Sequence, residues 1–263
     1  MGDENILLRE TKDGIVTLTI NRPEAMNCFN MELLKVFGDT LAQITFDRDV
    51  RVVIITGSTA GKNAFSTGAD LKERAGMTQD QVRVYIQTIR NVFTSVEELP
   101  KPVIAAVNGY AFGGGLELAL ACDLRLAAGT AQVGLTEASL AVIPGAGGTQ
   151  RLPRVVGVAR AKEMIFRERR ISAQEGLEIG LFLEVIELAK LLNRCTEIAQ
   201  EIAANGPVAI TQAKYAINKG AEASLAVGLA IESNAYAITI PTKDRIEGLT
   251  AFREKRKPAY TGE

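Results

Sequence analysis

The feature that most constrains the fold is a series of short apolar runs closed by turns: VVIIT at 52–56 before Gly57, VIAAV at 103–107, and LRLAA at 124–128. Runs of strand length with little polar alternation describe strands covered on both faces, as in a parallel sheet beneath helices. An earlier strand is marked by Ile15, Val16, Leu18 and Ile20, and stops at Asn21-Arg22-Pro23, where proline cannot donate to a ladder. Between these runs the spacing becomes helical. Leu33, Leu34, Phe37, Leu41 and Ile44 come after Asn30, a candidate cap, and Val82, Tyr85, Ile86, Ile89, Val92, Phe93 and Val96 form a second stripe. Strand, helix and strand in alternation predict an α/β core.

Beyond about residue 150 the strand signal gives way to helix signals. Ser172-Ala-Gln-Glu175 has the capping-box pattern, and Leu188, Leu191, Leu192, Cys195, Ile198 and Ile202 form an apolar stripe. Gly206-Pro207 interrupts the chain before helical stretches at 208–219 and 222–238. The sequence is therefore divided into a core over 1–195 and a C-terminal helical region over 196–263. No low-complexity linker separates the two, so independent domains are not expected.

The chain contains no histidine, which excludes Ser/His/Asp and Cys/His relays and ordinary His-ligated metal sites. Proton transfer near neutral pH then falls to carboxylates, Lys, Tyr or Cys with shifted pKa values. Thirty Lys and Arg against 31 Asp and Glu give a net charge of −1, so no broad attraction to nucleic acid or anionic lipid is expected. The three cysteines, Cys28, Cys122 and Cys195, are widely spaced and lack a C-x-x-C pair, which favours a reducing compartment over a disulfide framework or thiolate cluster. The N-terminus MGDENILLRE lacks the basic and apolar regions of a secretory signal, and no apolar stretch is long enough to span a bilayer. A soluble cytoplasmic protein is expected, or one of the mitochondrial matrix if a transit peptide has been removed.

Three segments can carry chemistry. In NGYAFGGGLELALACD at 108–123, Gly113, Gly114 and Gly115 open a helix whose first-turn amides can donate to an oxyanion, and Glu117 lies in that turn. The plainer alternative is that the glycines only permit close packing. In NAFSTGADLKE at 63–73, Asp70 can cap a helix starting at the next residue, with Glu73 three residues on, Ala69 can present its amide, and Lys72 can reach an anion; a simple capped loop explains the same residues. In GLTEASLAVIPGAGGTQRLPR at 134–154, Glu137 lies among small and apolar residues that can raise its pKa, although an exposed surface Glu is the alternative. Two carboxylates in different surroundings are how acid and base roles are divided without histidine. Nucleotide motifs fail: no G-x-G-x-x-G occurs, and Gly57 to Lys62 is one spacer short of a Walker A loop.

At these segments the chain resembles the crotonase superfamily, specifically enoyl-CoA hydratases. The wording runs from IVTLTINRP at 15–23 through FSTGADLKE, NGYAFGGGLELALACDLRLA and IPGAGGTQRLPR to EGLTAFREKRKP at 247–258. The resemblance implies an α/β spiral of β-β-α units with a C-terminal helical trimerisation region, assembled as a homotrimer or a dimer of trimers. It implies an acyl-CoA thioester as substrate, with CoA part of that substrate and no separate cofactor or metal. The thioester oxyanion hole would use the amides of Ala69 and Gly114, while Glu117 and Glu137 handle water and proton. CoA would contact Thr67, Gly68, Asp70, Leu71 and Lys72, with Tyr236 and Lys255 reaching it, often from a neighbouring subunit. Related isomerases commonly lack the carboxylate matching Glu117, so the pair favours hydration over isomerisation or thioester hydrolysis.

ADLKERAGM, GLAIES and IPTKDRIEGLTAF resemble the 3-methylglutaconyl-CoA hydratase branch, implying a short-chain or branched 2-enoyl-CoA. That branch includes a member that binds AU-rich RNA through a lysine-rich helix, but the corresponding DTLAQITFDRDVR at 39–51 has no lysine. RNA is therefore not an expected partner. FRERRISAQEGLEIGLFLEVIELAK at 166–190 departs from the family's usual Thr-Gly-Arg-Arg-Ile wording.

Overall fold

Successive turns of the chain lay one strand in each of two sheets and then a helix. The structure is a computed structural model that describes residues 6–263; the first five residues of MGDENILLRE, and of the 1–195 segment, lie outside the described residues. An antiparallel hairpin, β1 (Leu7–Lys12) and β2 (Ile15–Ile20), precedes α1 (Met31–Phe46). The first turn contains β3 (Val52–Gly57) and β4 (Ala64–Ser66), followed by α2 (Leu71–Ala75) and α3 (Gln79–Glu97). The second contains β5 (Val103–Val107), β6 (Tyr110–Phe112) and α4 (Gly114–Ala121). The third contains β7 (Leu124–Ala128) and β8 (Gln132–Gly134), followed by α5 (Gly148–Val156) and α6 (Val158–Phe166).

Strands β3, β5 and β7 run parallel, as do β4, β6 and β8, so the three turns stack in register. This is the α/β spiral of β-β-α units that the resemblance implies. β3 and β5 are buried along their whole length, which explains their continuous apolar sequences. Alternate residues divide the core between the two sheet faces. Val53, Ile55, Val103 and Ala105 belong to the main core with Leu33, Phe37 and Phe93, while Val52, Ile54, Ile104 and Leu126 meet Leu191 and Cys195. Burying each large apolar side chain contributes about 1.5–3 kcal/mol before conformational entropy is charged against it.

Asn30 caps α1 by accepting from the Leu33 amide at 2.9 Å. Strand structure does continue beyond residue 150, against the sequence expectation: β9 (Ile171–Ser172), α7 (Ala173–Glu178) and β10 (Glu184–Ile186) come after α6. β10 joins the large sheet beside β7, while β9 pairs antiparallel with β8. These strands are too short to show a periodic pattern, and their pairing with existing sheet edges determines them. Ser172 accepts from the Glu175 amide, but the Glu175 side chain pairs with Arg169, so only half of the expected capping box forms.

The remaining chain is helical: α8 (Leu188–Ala203), α9 (Pro207–Gly220), α10 (Leu225–Thr239) and α11 (Lys243–Glu254). Residue 195 falls within α8, whose buried side lies against the large sheet. α9 is tied to the core through Lys214, which donates to Asp123 at 2.8 Å and to the Lys101 carbonyl at 3.0 Å. Leu225, Ile246, Leu249 and Phe252 remain exposed on α10 and α11.

Candidate active site

The site begins where the two parallel sheets meet the N-terminus of α4. Gly113 has φ +52° and donates to the Gly134 carbonyl at 2.9 Å, turning the chain sharply out of β6. At Gly115 a Cβ would lie 1.9 Å from the Ser66 carbonyl oxygen, so only glycine lets α4 lie this close to β4. These two positions account for the cost of adjacent glycines at a helix start. The resulting approach brings the Gly114 amide beside the turn containing Gly68 and Ala69; a Cβ on Gly114 would sit 3.7 Å from the Ala69 nitrogen.

The Ala69 turn is fixed from both sides. Phe29 donates to the Gly68 carbonyl at 2.8 Å and accepts from the Asp70 amide at 2.9 Å, while the Tyr85 hydroxyl also donates to the Phe29 carbonyl at 2.7 Å. Asp70 caps α2 through the Lys72 and Glu73 amides and pairs with Arg22 at 3.0 Å. Glu73 instead accepts from the Met31 amide, so no reciprocal capping box forms. Among the described residues, neither the Ala69 nor the Gly114 amide donates within the protein. They form a pair of adjacent donors at a helix start.

Glu117 is 3% exposed. Its Oε1 accepts from the Ala146 amide at 2.8 Å and from the Gly148 amide at 2.7 Å, both supplied by the glycine-rich loop before α5. Burial pushes this carboxyl up, while the two amides, Arg151 and Arg90 oppose that shift by favouring the anion. The donors that hold this carboxyl thus come from a different element than its own helix. Arg151 anchors that loop, donating to the Ala146 carbonyl at 2.9 Å and pairing with Glu97 at 2.6 Å.

Glu137 ends the segment after β8. Its Oε1 lies 3.0 Å from where a Cβ on Gly113 would be, so the absent side chain leaves room for the carboxyl. Burial, then the charges of Glu117 and Glu168, raise its pKa to about 7; the Oε2 is buried without a partner. The expectation of an elevated Glu137 is therefore matched by its surroundings, and Glu117 and Glu137 are electrostatically coupled.

A cavity of about 1050 Å³ contains Ala69, Gly114, Glu117 and Glu137 on its wall. Thr67, Asp70, Leu71 and Lys72 line an adjoining groove of about 730 Å³ together with Arg22 and Arg170. Gly68 has φ +92° and sits between these residues in the turn. Tyr236 is 65% exposed on α10, and Lys255 occupies the left-handed C-cap of α11; neither lines the cavity or the groove. Sequence patterns alone did not single out Arg151, or the Ala146 and Gly148 amides as partners of Glu117. The glycines of the loop, Gly145, Gly147 and Gly148, were the available signal, but the nearest of them lies 28 residues from Glu117 in sequence. Among the described residues, no group of His, Cys, Asp and Glu is arranged to hold a metal ion.

This α/β spiral, with a carboxylate pair beside two open amides, defines an enzyme of the crotonase class. The chain belongs to the enoyl-CoA hydratase/isomerase family, whose sequence model matches residues 10–263. It is 51% identical over 262 residues to the Bacillus subtilis putative enoyl-CoA hydratase/isomerase YngF, covering 100% of both chains. It is 48% identical over 260 residues to the mitochondrial methylglutaconyl-CoA hydratase of Mus musculus, covering 97% of this chain and 82% of that protein. The crystal structure of an enoyl-CoA hydratase from Bacillus anthracis matches with TM-score 0.96 and 51% identity, covering 98% of this chain and 100% of that one. Enzymes of this fold act on acyl-CoA substrates.

Proposed function

We propose that the protein adds water reversibly across the C2=C3 bond of a short-chain or branched 2-enoyl-CoA to give a 3-hydroxyacyl-CoA. The observation that carries this reading is the meeting of Glu117, Glu137 and the open Ala69 and Gly114 amides on one cavity wall. The names of the Bacillus subtilis and mouse relatives support hydratase chemistry, and the mouse relative's name supports a branched acyl group.

In this mechanism the Ala69 and Gly114 amides donate to the thioester oxygen. They withdraw charge from C3 and stabilise the enolate-like charge formed as water adds; loss of one such donor typically costs about 10²- to 10³-fold in rate. Glu117 acts as carboxylate. Its Oε1 is held by two amides, leaving Oε2 to orient the water and accept its proton. Glu137, with its pKa near 7, donates a proton to C2 from the carboxylic acid form. The water oxygen bonds to C3, the former C2–C3 π electrons pass toward the thioester, and protonation at C2 completes the addition.

CoA lies along Thr67 to Lys72, with Lys72 near phosphate and the Thr67 carbonyl near adenine. Tyr236 and Lys255 approach from a neighbouring copy in a homotrimer or dimer of trimers. The 196–263 segment is its assembly region, and the bacterial relative supports a cytoplasmic location. Among the described residues no helix is long and apolar enough to cross a membrane.

The test is hydration of crotonyl-CoA, followed by loss of the conjugated thioester absorbance. Glu117→Gln and Glu137→Gln are each expected to lower kcat by at least about 10²-fold, within the usual range for positioned acid or base catalysis. Near-normal activity in both variants would defeat the assignment.

A further inference from the structure

Two peptide groups hold the Glu117 carboxylate, and the carbonyl on the far side of each is itself engaged. The Gly145–Ala146 peptide donates to Glu117 Oε1 through the Ala146 N–H at 2.8 Å, while its Gly145 carbonyl accepts from Arg90 Nε at 3.0 Å. The Gly147–Gly148 peptide donates through the Gly148 N–H at 2.7 Å, while its Gly147 carbonyl accepts from the Gln150 and Arg151 amides at 3.0 and 2.8 Å in the first turn of α5. One carbonyl therefore receives neutral amides and the other a cation. Arg151 donates to the peptide between them, at the Ala146 carbonyl.

Hydrogen bonds at the two ends of one peptide group polarise each other. A guanidinium on the carbonyl oxygen draws charge from the peptide nitrogen and strengthens the bond that its N–H donates to an anion. Arg90 Nε, the Gly145 carbonyl, the Ala146 N–H and Glu117 Oε1 form one such chain. We propose that Arg90 is a positioning residue for the catalytic base, acting on Glu117 through the Gly145–Ala146 peptide to keep its carboxylate ionised and aimed at water. This inference rests on the hydratase reading of the same cavity and adds the residue that keeps its base charged.

Helix α3 sets the geometry of this chain. Ile86 lies one turn before Arg90, and its Cγ2 is 3.2 Å from the position of a Cβ on Gly145, so the loop packs directly on the helix that carries the guanidinium. Arg151 pairs with Glu97 at 2.6 Å, which offsets its charge, whereas no carboxylate among the described residues pairs with Arg90. Burial pushes the Glu117 carboxyl up, and the Gly148 and Ala146 amides, then Arg151 and Arg90, favour its anion. Arg90 also lines the cavity, so direct contact with substrate is the competing role. A residue that only bound substrate would act on KM. One that acts through the peptide changes the ionisation of Glu117.

The decisive comparison is the pH profile of crotonyl-CoA hydration in wild type, Arg90→Met and Arg90→Lys. Removing the cation raises the Glu117 pKa, so the acid limb of kcat/KM should move to higher pH in Arg90→Met, by about half a unit to one unit for an exposed charge acting through one peptide. Activity should therefore fall by about three- to tenfold on the acid side of the limb and much less above it, with KM changed by less than about twofold. Arg90→Lys should return the limb most of the way, because an ammonium keeps the charge and can donate to the Gly145 carbonyl. A readout independent of turnover is carbon-13 NMR titration of the Glu117 carboxyl in glutamate-labelled protein, assigned by its absence in Glu117→Gln. It should move up in Arg90→Met and back in Arg90→Lys.

A raised KM with an unmoved limb would instead assign Arg90 to substrate contact, overturning the proposal. An equal loss at every pH that Arg90→Lys does not recover would assign it to the fold and overturn the proposal as well. An unmoved Glu117 titration in Arg90→Met would do the same, and wild-type hydration of crotonyl-CoA would then leave the hydratase reading intact. Failure of wild type to hydrate crotonyl-CoA, with the Glu117 titration still shifted in Arg90→Met, would defeat the hydratase reading and support the link between Arg90 and Glu117.

Discussion

Glu117 and Glu137 bring the same functional group into different surroundings. Burial raises both carboxyls, but at Glu117 two amides oppose it by favouring the anion, whereas at Glu137 two neighbouring carboxylates add to it and hold the carboxyl near pKa 7. If Glu137 donates the proton to C2, kcat/KM for crotonyl-CoA should fall as pH rises through about 7. The same shift affects stability. The folded state retains the Glu137 proton above the ordinary value of 4.5, so its favourable contribution is full below that value and is lost as pH rises through about 7. Urea unfolding at pH 4.5, 6 and 8 should show a smaller loss over this window in Glu137→Gln than in wild type; equal slopes would refute the linkage. The two catalytic candidates were legible from their residue type and segments, but the Ala146 and Gly148 donors were not, because tertiary folding alone brings them to Glu117. Glu168 shows another limit of the local pattern. It stands at the glycine position of the family's Thr-Gly-Arg-Arg wording, yet keeps φ +52° and has a buried, unpartnered Oε1. Glu168→Gly should stabilise the fold by about 1 kcal/mol, since relief of left-handed strain exceeds the added unfolded-state entropy. It should also shift the alkaline limb of activity downward by removing a charge that raises the Glu137 pKa. Denaturant unfolding and a pH–rate profile test the two effects separately.

The start of α4 converts a local glycine pattern into site geometry. Adding one methyl at Gly115 would place carbon 1.9 Å from the Ser66 oxygen, so backbone must move at the junction of β4 and α4. Because the same junction sets the Gly114 amide beside Ala69, Gly115→Ala should lower kcat by at least about 10²-fold by misplacing a donor. Circular dichroism combined with crotonyl-CoA kinetics checks this prediction; folded protein with normal kcat would exclude the positioning role. Central elements were readable because β3 and β5 are wholly buried and α1 and α3 keep regular apolar stripes. The edge elements were less legible for physical reasons. β1 exposes every residue after Leu7 and therefore reads as polar, while β10 carries Glu184 in only three residues. The second hydrogen-bond partner supplies what their composition does not: β2 fixes the first strand, and β7 fixes the last.

At the scale of the whole molecule, the C-terminal helices connect assembly to the proposed chemistry. α9 is anchored to the core by Thr211 and Lys214, yet α10 and α11 expose Leu225, Ile246, Leu249 and Phe252, with Phe252 84% exposed. Several large apolar side chains on adjacent terminal helices are poorly explained by packing within this chain, where Ala235 and Ala251 are the buried apolar residues of those two helices. The proposed copy-to-copy interface would cover this surface and would give Tyr236 and Lys255, which line neither the cavity nor the groove of their own chain, a route to the groove of a neighbour. The Leu249→Asp/Phe252→Asp double variant should therefore shift the protein from a trimer or hexamer toward monomer in light scattering. Charge burial opposes its association, while both substitutions occupy exposed positions in the isolated fold. If assembly supplies CoA contacts, KM for crotonyl-CoA should rise as the enzyme is diluted through dissociation, and should fall again at concentrations that restore the oligomer. A wild-type monomer at micromolar concentration would reject the assembly proposal. A monomeric double variant with unchanged KM would retain the interface but reject a CoA-binding contribution from the neighbouring copy.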